Sequence, residues 1–135
     1  MKILLTNLPR QFETKDFTTP DYFLDNFMKY PPLGLLSIAT DVDKKHSLEI
    51  FDATVKNLTL EEMLKHIIGE KPDVLGISVV TRRLYAMHWL TREVKKNLPE
   101  IIIIAGGPHI NYFPKETIEL GFVDYAIAGW CEKSF

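Results

Sequence analysis

Two hydrophobic periods take turns along this chain. Residues 2–6, Lys-Ile-Leu-Leu-Thr, form a short apolar run of strand type. Pro31 and Pro32 then open a helix carrying Leu33, Leu35, Leu36, Ile38 and Ala39, since a proline in the first turn gives up no hydrogen bond. The pattern predicts that this helix ends near Lys45. Residues 47–52 alternate as a strand with one wetter face does, and Thr59 followed by Glu61 and Glu62 supplies a cap and an acidic first turn for a second helix. Gly69 and Pro72 are expected to stop it. Residues 74–80 and 101–105 are near-continuous apolar runs, as strands buried on both faces of a parallel sheet are. Between them Leu84, Met87, Leu90 and Val94 recur at helical spacing up to Leu98. Pro114 starts a short fourth helix closed by Gly121, and residues 124–128 make a fifth strand. Five strands alternating with four helices predict an α/β fold, a doubly wound three-layer sandwich around a five-stranded parallel sheet.

Two stretches do not fit this alternation. Residues 10–30 are polar with no steady period, yet they carry Phe12, Phe17, Tyr22, Phe23 and Phe27, too many aromatics for a solvated tail. A long loop inside a compact domain is usually functional or disordered, so this one reads as a lid or docking surface. At the other end, a sheet of this type needs a helix after its last strand, and the sequence stops at Phe135. The expectation is an excised piece of a longer protein; otherwise the uncovered sheet face would be an association site, for example in a homodimer.

Composition narrows the partners. A chain of 135 residues with 46% hydrophobic content builds one domain with a normal core. Its net charge of -2, with Lys and Arg scattered, leaves no electrostatic footprint for nucleic acid or an anionic membrane. The amino terminus reads as a strand and lacks the basic start and apolar run of a signal peptide, which points to the cytoplasm. The single cysteine, Cys131, makes neither an internal disulfide nor, alone, a structural zinc or iron-sulfur site.

Open parallel sheets hold cofactors at the carboxyl ends of their strands, so those ends discriminate between ligands. The first strand runs into Thr6, Asn7, Leu8 and Pro9, without the Gly-x-Gly-x-x-Gly that lets a pyrophosphate approach a helix. A glycine-rich phosphate loop with its lysine is missing there too, as is a run of hydroxyls and glycines for a flavin phosphate. A phosphoacceptor domain would need acidic residues at the first strand's end and an Asp ending the third, where this chain has Asn7 and Ser78.

What remains is Ser78-Val79-Val80 after the third strand and Gly106-Gly107-Pro108-His109 after the fourth. Together with Tyr30-Pro-Pro-Leu-Gly-Leu-Leu36, Phe51-Asp-Ala53, Lys71-Pro-Asp-Val-Leu-Gly-Ile-Ser78 and Val123-Asp-Tyr125 leading to Gly129, these resemble the cobalamin (vitamin B12)-binding domain that precedes the radical S-adenosylmethionine domain of cobalamin-dependent radical enzymes, many of them methyltransferases. The family pattern is Ser-x-Leu after the third strand and Gly-Gly after the fourth, and Val80 here replaces the Leu. The resemblance implies a flavodoxin-like, Rossmann-like cobalamin-binding fold with its last covering helix missing. It implies that the corrinoid is held by Asn7, Leu8 and Pro9, by Ser78, Val80 and Thr81, by Gly106, Gly107 and Pro108, and by Gly129. Residues without side chains at 106 and 107 leave room for the nucleotide tail, and Ser78 can donate a hydrogen bond to it.

Two departures from the wider family refine this. The classical fold places Asp-x-His-x-x-Gly after the first strand, its His binding cobalt from below, whereas residues 7–19 contain no histidine. The resemblance therefore implies a corrinoid without a protein histidine ligand, its lower face approached near Leu8 and Pro9. At the far end Gly129-Trp130-Cys131-Glu132 stands where Gly-Glu-Gly-Glu is frequent. The Cys-x-x-x-Cys-x-x-Cys of the radical domain is absent, so the iron-sulfur cluster and S-adenosylmethionine are expected in a separate domain and no catalysis is expected from this chain alone.

Plainer readings stand beside these. Gly106 and Gly107 alone also end a strand, and Ser78 alone also caps the next turn. His109, beyond the glycine pair, reads as a solvated loop residue. His46, His66 and His88 read as surface or helix positions, Tyr85, Met87 and Trp89 as helix packing and rim, and Cys131 as inert. The alternative function is a degenerate α/β interaction domain that has lost its cofactor.

Overall fold

The computed structural model describes residues 1–9, 30–42 and 44–129. The five strands are β1 (Lys2–Asn7), β2 (Ser47–Phe51), β3 (Val74–Ser78), β4 (Ile102–Gly106) and β5 (Tyr125–Ala126). Every pairing is parallel and the order is β2-β1-β3-β4-β5. The connections are α1 (Leu33–Asp41), α2 (Leu60–Glu70), α3 (Leu84–Asn97), which follows a 3-10 turn at Thr81–Arg83, and α4 (Pro114–Glu119). The doubly wound expectation holds. This order reverses direction between β1 and β3, the place where such sheets open a crevice at their carboxyl ends.

Pleating sends alternate side chains to opposite faces, and the two faces are filled differently. On one, Leu4, Leu75, Ile77, Ile103 and Ala105 pack with Leu60, Met63 and Ile67 of α2 and with Ala86, Met87, Leu90 and Val94 of α3. On the other, Ile3, Leu5 and Val74 pack with Leu35, Ile38 and Ala39 of α1. The second cluster sits over the β2-β1 half, and α1 is the helix that covers it among the described residues. No described helix is long and apolar enough to cross a membrane.

Local chemistry explains the boundaries. Thr59 and Glu62 form a full capping box: the Glu62 N–H donates to Thr59 Oγ1 at 3.1 Å and the Thr59 N–H to Glu62 Oε2 at 2.8 Å. Three expectations are corrected. Helix α1 ends at Asp41, short of Lys45, because Val42 turns to extended backbone (ψ 128°). Helix α2 runs through Gly69, and its left-handed stop is Lys71 at φ 48°, whose N–H donates to the Ile67 carbonyl. Strand β5 contracts to two residues. The aromatic stretch and Cys131 fall at residues 10–29 and 130–135, outside the described residues.

Candidate functional site

The strand registers line up a row across the sheet's carboxyl edge: Asn7 is opposite Ser78, and Ser78 is opposite Gly106. One pleat back, Leu5, Gly76 and Ile104 form the next row on the same face. Both rows face the α1 side. Glycine occupies that face at positions 76 and 106, so the floor over β3 and β4 has no side chains where it would otherwise carry two.

This bare floor is the bottom of a groove of about 420 Å³. Gly34, Leu35 and Ile38 of α1 form one wall, and Gly107, Pro108, Asn111, Ile127 and Gly129 form the other. The lining is apolar apart from Ser78, Asn111 and main-chain groups, a composition suited to a flat, largely apolar ligand with a few polar handles. Asn111 also closes one end: its Oδ1 accepts the Gly129 N–H at 2.8 Å, tying the loop after β4 to the loop after β5. Ser78, Gly34 and Leu35 are shared with a second, more polar basin of about 250 Å³ above the strand ends, which Asn7, Thr54, Val80, Arg82 and Arg83 help to line. Slot and basin thus adjoin at Ser78.

The residues expected at the site separate into three groups. Ser78, Gly106, Gly107, Pro108 and Gly129 line the groove, while Asn7 and Val80 line the basin. Leu8 and Pro9 do not offer side chains there, because both are buried and Leu8 belongs to the core on the α2–α3 side. Their backbone is held by a polar lattice. Thr54 Oγ1 donates to the Leu8 carbonyl at 3.1 Å, Arg83 Nη1 donates to the same carbonyl, and Asn7 Nδ2 donates to Asp52 Oδ1 at 2.8 Å. Thr81 is exposed at the start of the 3-10 turn, its hydroxyl 3.1 Å from His109 Nδ1.

The two adjacent glycines serve different ends. Gly106 has ordinary strand backbone and leaves space on the groove floor. Gly107 has φ +96°, and a Cβ there would stand 2.9 Å from Ser78 Oγ and from the Val79 nitrogen and 3.0 Å from the Val79 oxygen. Its missing side chain lets the loop close on β3, where the Val79 N–H donates to Gly106 O at 2.8 Å and the His109 N–H to Val79 O at 3.0 Å.

His109 corrects the solvated-loop expectation. It is 4% exposed, stacked on Phe113 with ring centroids 5.1 Å apart, and bonded through Nδ1 to Thr81. It braces the loops after β3 and β4. Met87 is core and Tyr85 is exposed rim, in keeping with helix packing. Gly76, Asn111 and Ile127 were missed from sequence; for Gly76 the signal was available, since it lies two residues before Ser78 and so shares its face of the strand.

A family model described as "B12 binding domain" matches residues 27–135, most of the chain and all of the groove apart from Leu5. The chain belongs to the B12-binding domain family. This B12-binding domain is 30% identical over 106 residues to an uncharacterized methyltransferase of Pyrococcus horikoshii, covering 78% of the chain. It spans only 23% of that relative's length. Among solved structures it resembles a CheY-like protein, TadZ, of Pseudomonas aeruginosa, with a TM-score of 0.51 at 16% identity over 95% of the chain and 82% of that protein. That likeness shows the α/β fold alone.

The groove suits the family's ligand. The glycine floor accepts a planar group against the sheet, and Ser78 and Asn111 offer polar handles beside it.

Proposed function

We propose that this chain is the cobalamin-binding module of a longer cobalamin-dependent radical S-adenosylmethionine enzyme of the methyltransferase type. The observation that carries the reading is the adjoining slot and basin at the switch point, with Gly76 and Gly106 as the floor of the slot. The nucleotide tail lies in the slot between α1 and the strip of sheet over β3 and β4, contacting Ser78. The corrin ring would rest over the basin, with Asn7 and Thr54 on its wall and Thr81 exposed at the start of the 3-10 turn as candidates to bond its side-chain amides. Cobalamin held there supplies methyl-transfer chemistry at cobalt.

The chain's own residues bind and orient. The Leu8–Pro9 segment, its Leu8 carbonyl held by Thr54 and Arg83, would lie beneath the lower face of the ring. Among the described residues no histidine lines the slot or the basin, and His109 is engaged with Thr81 and Phe113. This supports a corrinoid without a protein histidine ligand. The relative named a methyltransferase, of which this chain spans about a quarter, supports a longer parent enzyme of that type; the cluster and S-adenosylmethionine sites would belong to its other domain.

Titration of the chain with hydroxocobalamin, followed by desalting, tests this. Retained corrinoid whose visible spectrum lacks a histidine lower ligand is expected. No retention by a chain with a cooperative thermal transition would favour the degenerate interaction domain, and retention with a histidine-ligated spectrum would overturn the lower-face assignment.

A further inference from the structure

On the opposite face of the sheet from the groove, at its β2 edge, Glu49 of β2 and His66 and Glu70 of α2 bring three ligand atoms within 4.8 Å of one another. We propose that these residues form a second metal site, independent of the corrinoid, for a divalent transition metal of the zinc class.

The topology explains the meeting. His66 and Glu70 are four residues apart and therefore stack on one helical face, and that face lies beside the sheet edge where β2 presents Glu49. His66 Nε2 is already 3.0 Å from Glu49 Oε1, a separation that neighbouring ligands of one ion adopt. Its ring is fixed by stacking on Phe51, with centroids 3.9 Å apart and planes 12° from parallel. That contact preorganises the imidazole, as the outer partners of metal ligands do. Two donors about 2.1 Å from a tetrahedral ion stand about 3.4 Å apart, so a spread within 4.8 Å closes with side-chain shifts totalling no more than about 1.5 Å. One imidazole nitrogen and two carboxylate oxygens suit zinc or cobalt better than the all-oxygen set of calcium or magnesium, and three protein ligands leave a fourth position for water.

Lys2 is the built-in competitor. Its Nζ donates to Glu70 Oε2 at 2.6 Å and to the Glu70 carbonyl at 2.7 Å. A metal ion displaces the ammonium from the carboxylate while Lys2 keeps the carbonyl. The Lys2→Met variant therefore separates a metal site from a plain ion-pair network: it removes a competing cation in the first case and only a salt bridge in the second.

The test is calorimetric titration of the untagged 135-residue chain with Zn²⁺ at neutral pH, without cobalamin. One saturable Zn²⁺ per chain is expected. His66→Ala should weaken it by at least about tenfold, the lower bound for loss of even an outer partner. Glu49→Gln, which keeps the side-chain shape, should also weaken it, and Lys2→Met should tighten it. No saturable binding, or equal affinity in wild type and both His66→Ala and Glu49→Gln, would overturn the proposal. Because the site lies away from the groove, either result leaves the corrinoid reading to its own test.

Discussion

Replacing Gly106 by Leu separates the ligand-binding role of the groove floor from the stability of the sheet. Gly106 ends β4 in strand conformation, opposite Ser78, and its α1-side face opens into the 420 Å³ groove. Gly106 lines the groove, and removing a strand glycine recovers about 0.5–1 kcal/mol of backbone entropy. The melting temperature should therefore hold or rise slightly. In the complex the same side chain occupies the tail's place. Overpacking costs about 1–3 kcal/mol, or roughly 5- to 150-fold in affinity. If the tail is expelled, the loss is larger: a ring system burying about 150 Å² at ~25 cal/mol per Å² forfeits about 4 kcal/mol, close to a thousandfold. Equilibrium dialysis against hydroxocobalamin, with a thermal melt of the same sample, reads both quantities. A variant with wild-type melting and wild-type affinity would refute the assignment of Gly106 to the tail slot.

Gly107→Ala should behave in the opposite way, losing about 2–5 kcal/mol of stability by denaturant titration, since it combines left-handed backbone with a Cβ 2.9 Å from Ser78 Oγ and the Val79 nitrogen; a loss below about 1 kcal/mol would count against that contact. Thr59→Ala removes half of the capping box and should cost about 1 kcal/mol, measured as a lower urea midpoint at constant slope. Glu70 is held below the ordinary carboxylate range by its hydrogen bond from Lys2 and then by that ammonium's charge. Its contribution to stability is present above the unfolded-state carboxylate pKa and is lost as pH falls through the lowered folded value. An NMR titration of Glu70 should show its pKa rise in Lys2→Met.

The alternation of strands and helices was legible because β1, β3 and β4 are apolar runs and β2 alternates in polarity, with helical spacing in the segments between β2, β3 and β4. The end of α1 was not, since Val42, Lys44 and Lys45 carry no stop signal and the turn to extended backbone there is not written in residue type. Lys71 likewise takes the left-handed position that Gly69 seemed to announce. In the site, the glycine pair was visible, but its division of labour was not: it depends on which way each Cα faces at the end of a pleated strand, and only the register of Gly106 with Ser78 decides that. His109 looked solvated because its partners, Thr81 and Phe113, belong to a turn and a loop without periodicity. Leu8 is apolar enough for either core or ligand contact, and tertiary packing sent it to the core.

The central claim is that the nucleotide tail of the corrinoid occupies the slot between α1 and the glycine floor. Comparing the affinity of the wild-type chain for cobalamin and for cobinamide, the same ring without its tail, tests it most directly. The slot predicts cobalamin tighter by at least about tenfold, or 1.4 kcal/mol, a fraction of the burial an aromatic base brings. Equal affinity for the two would contradict it.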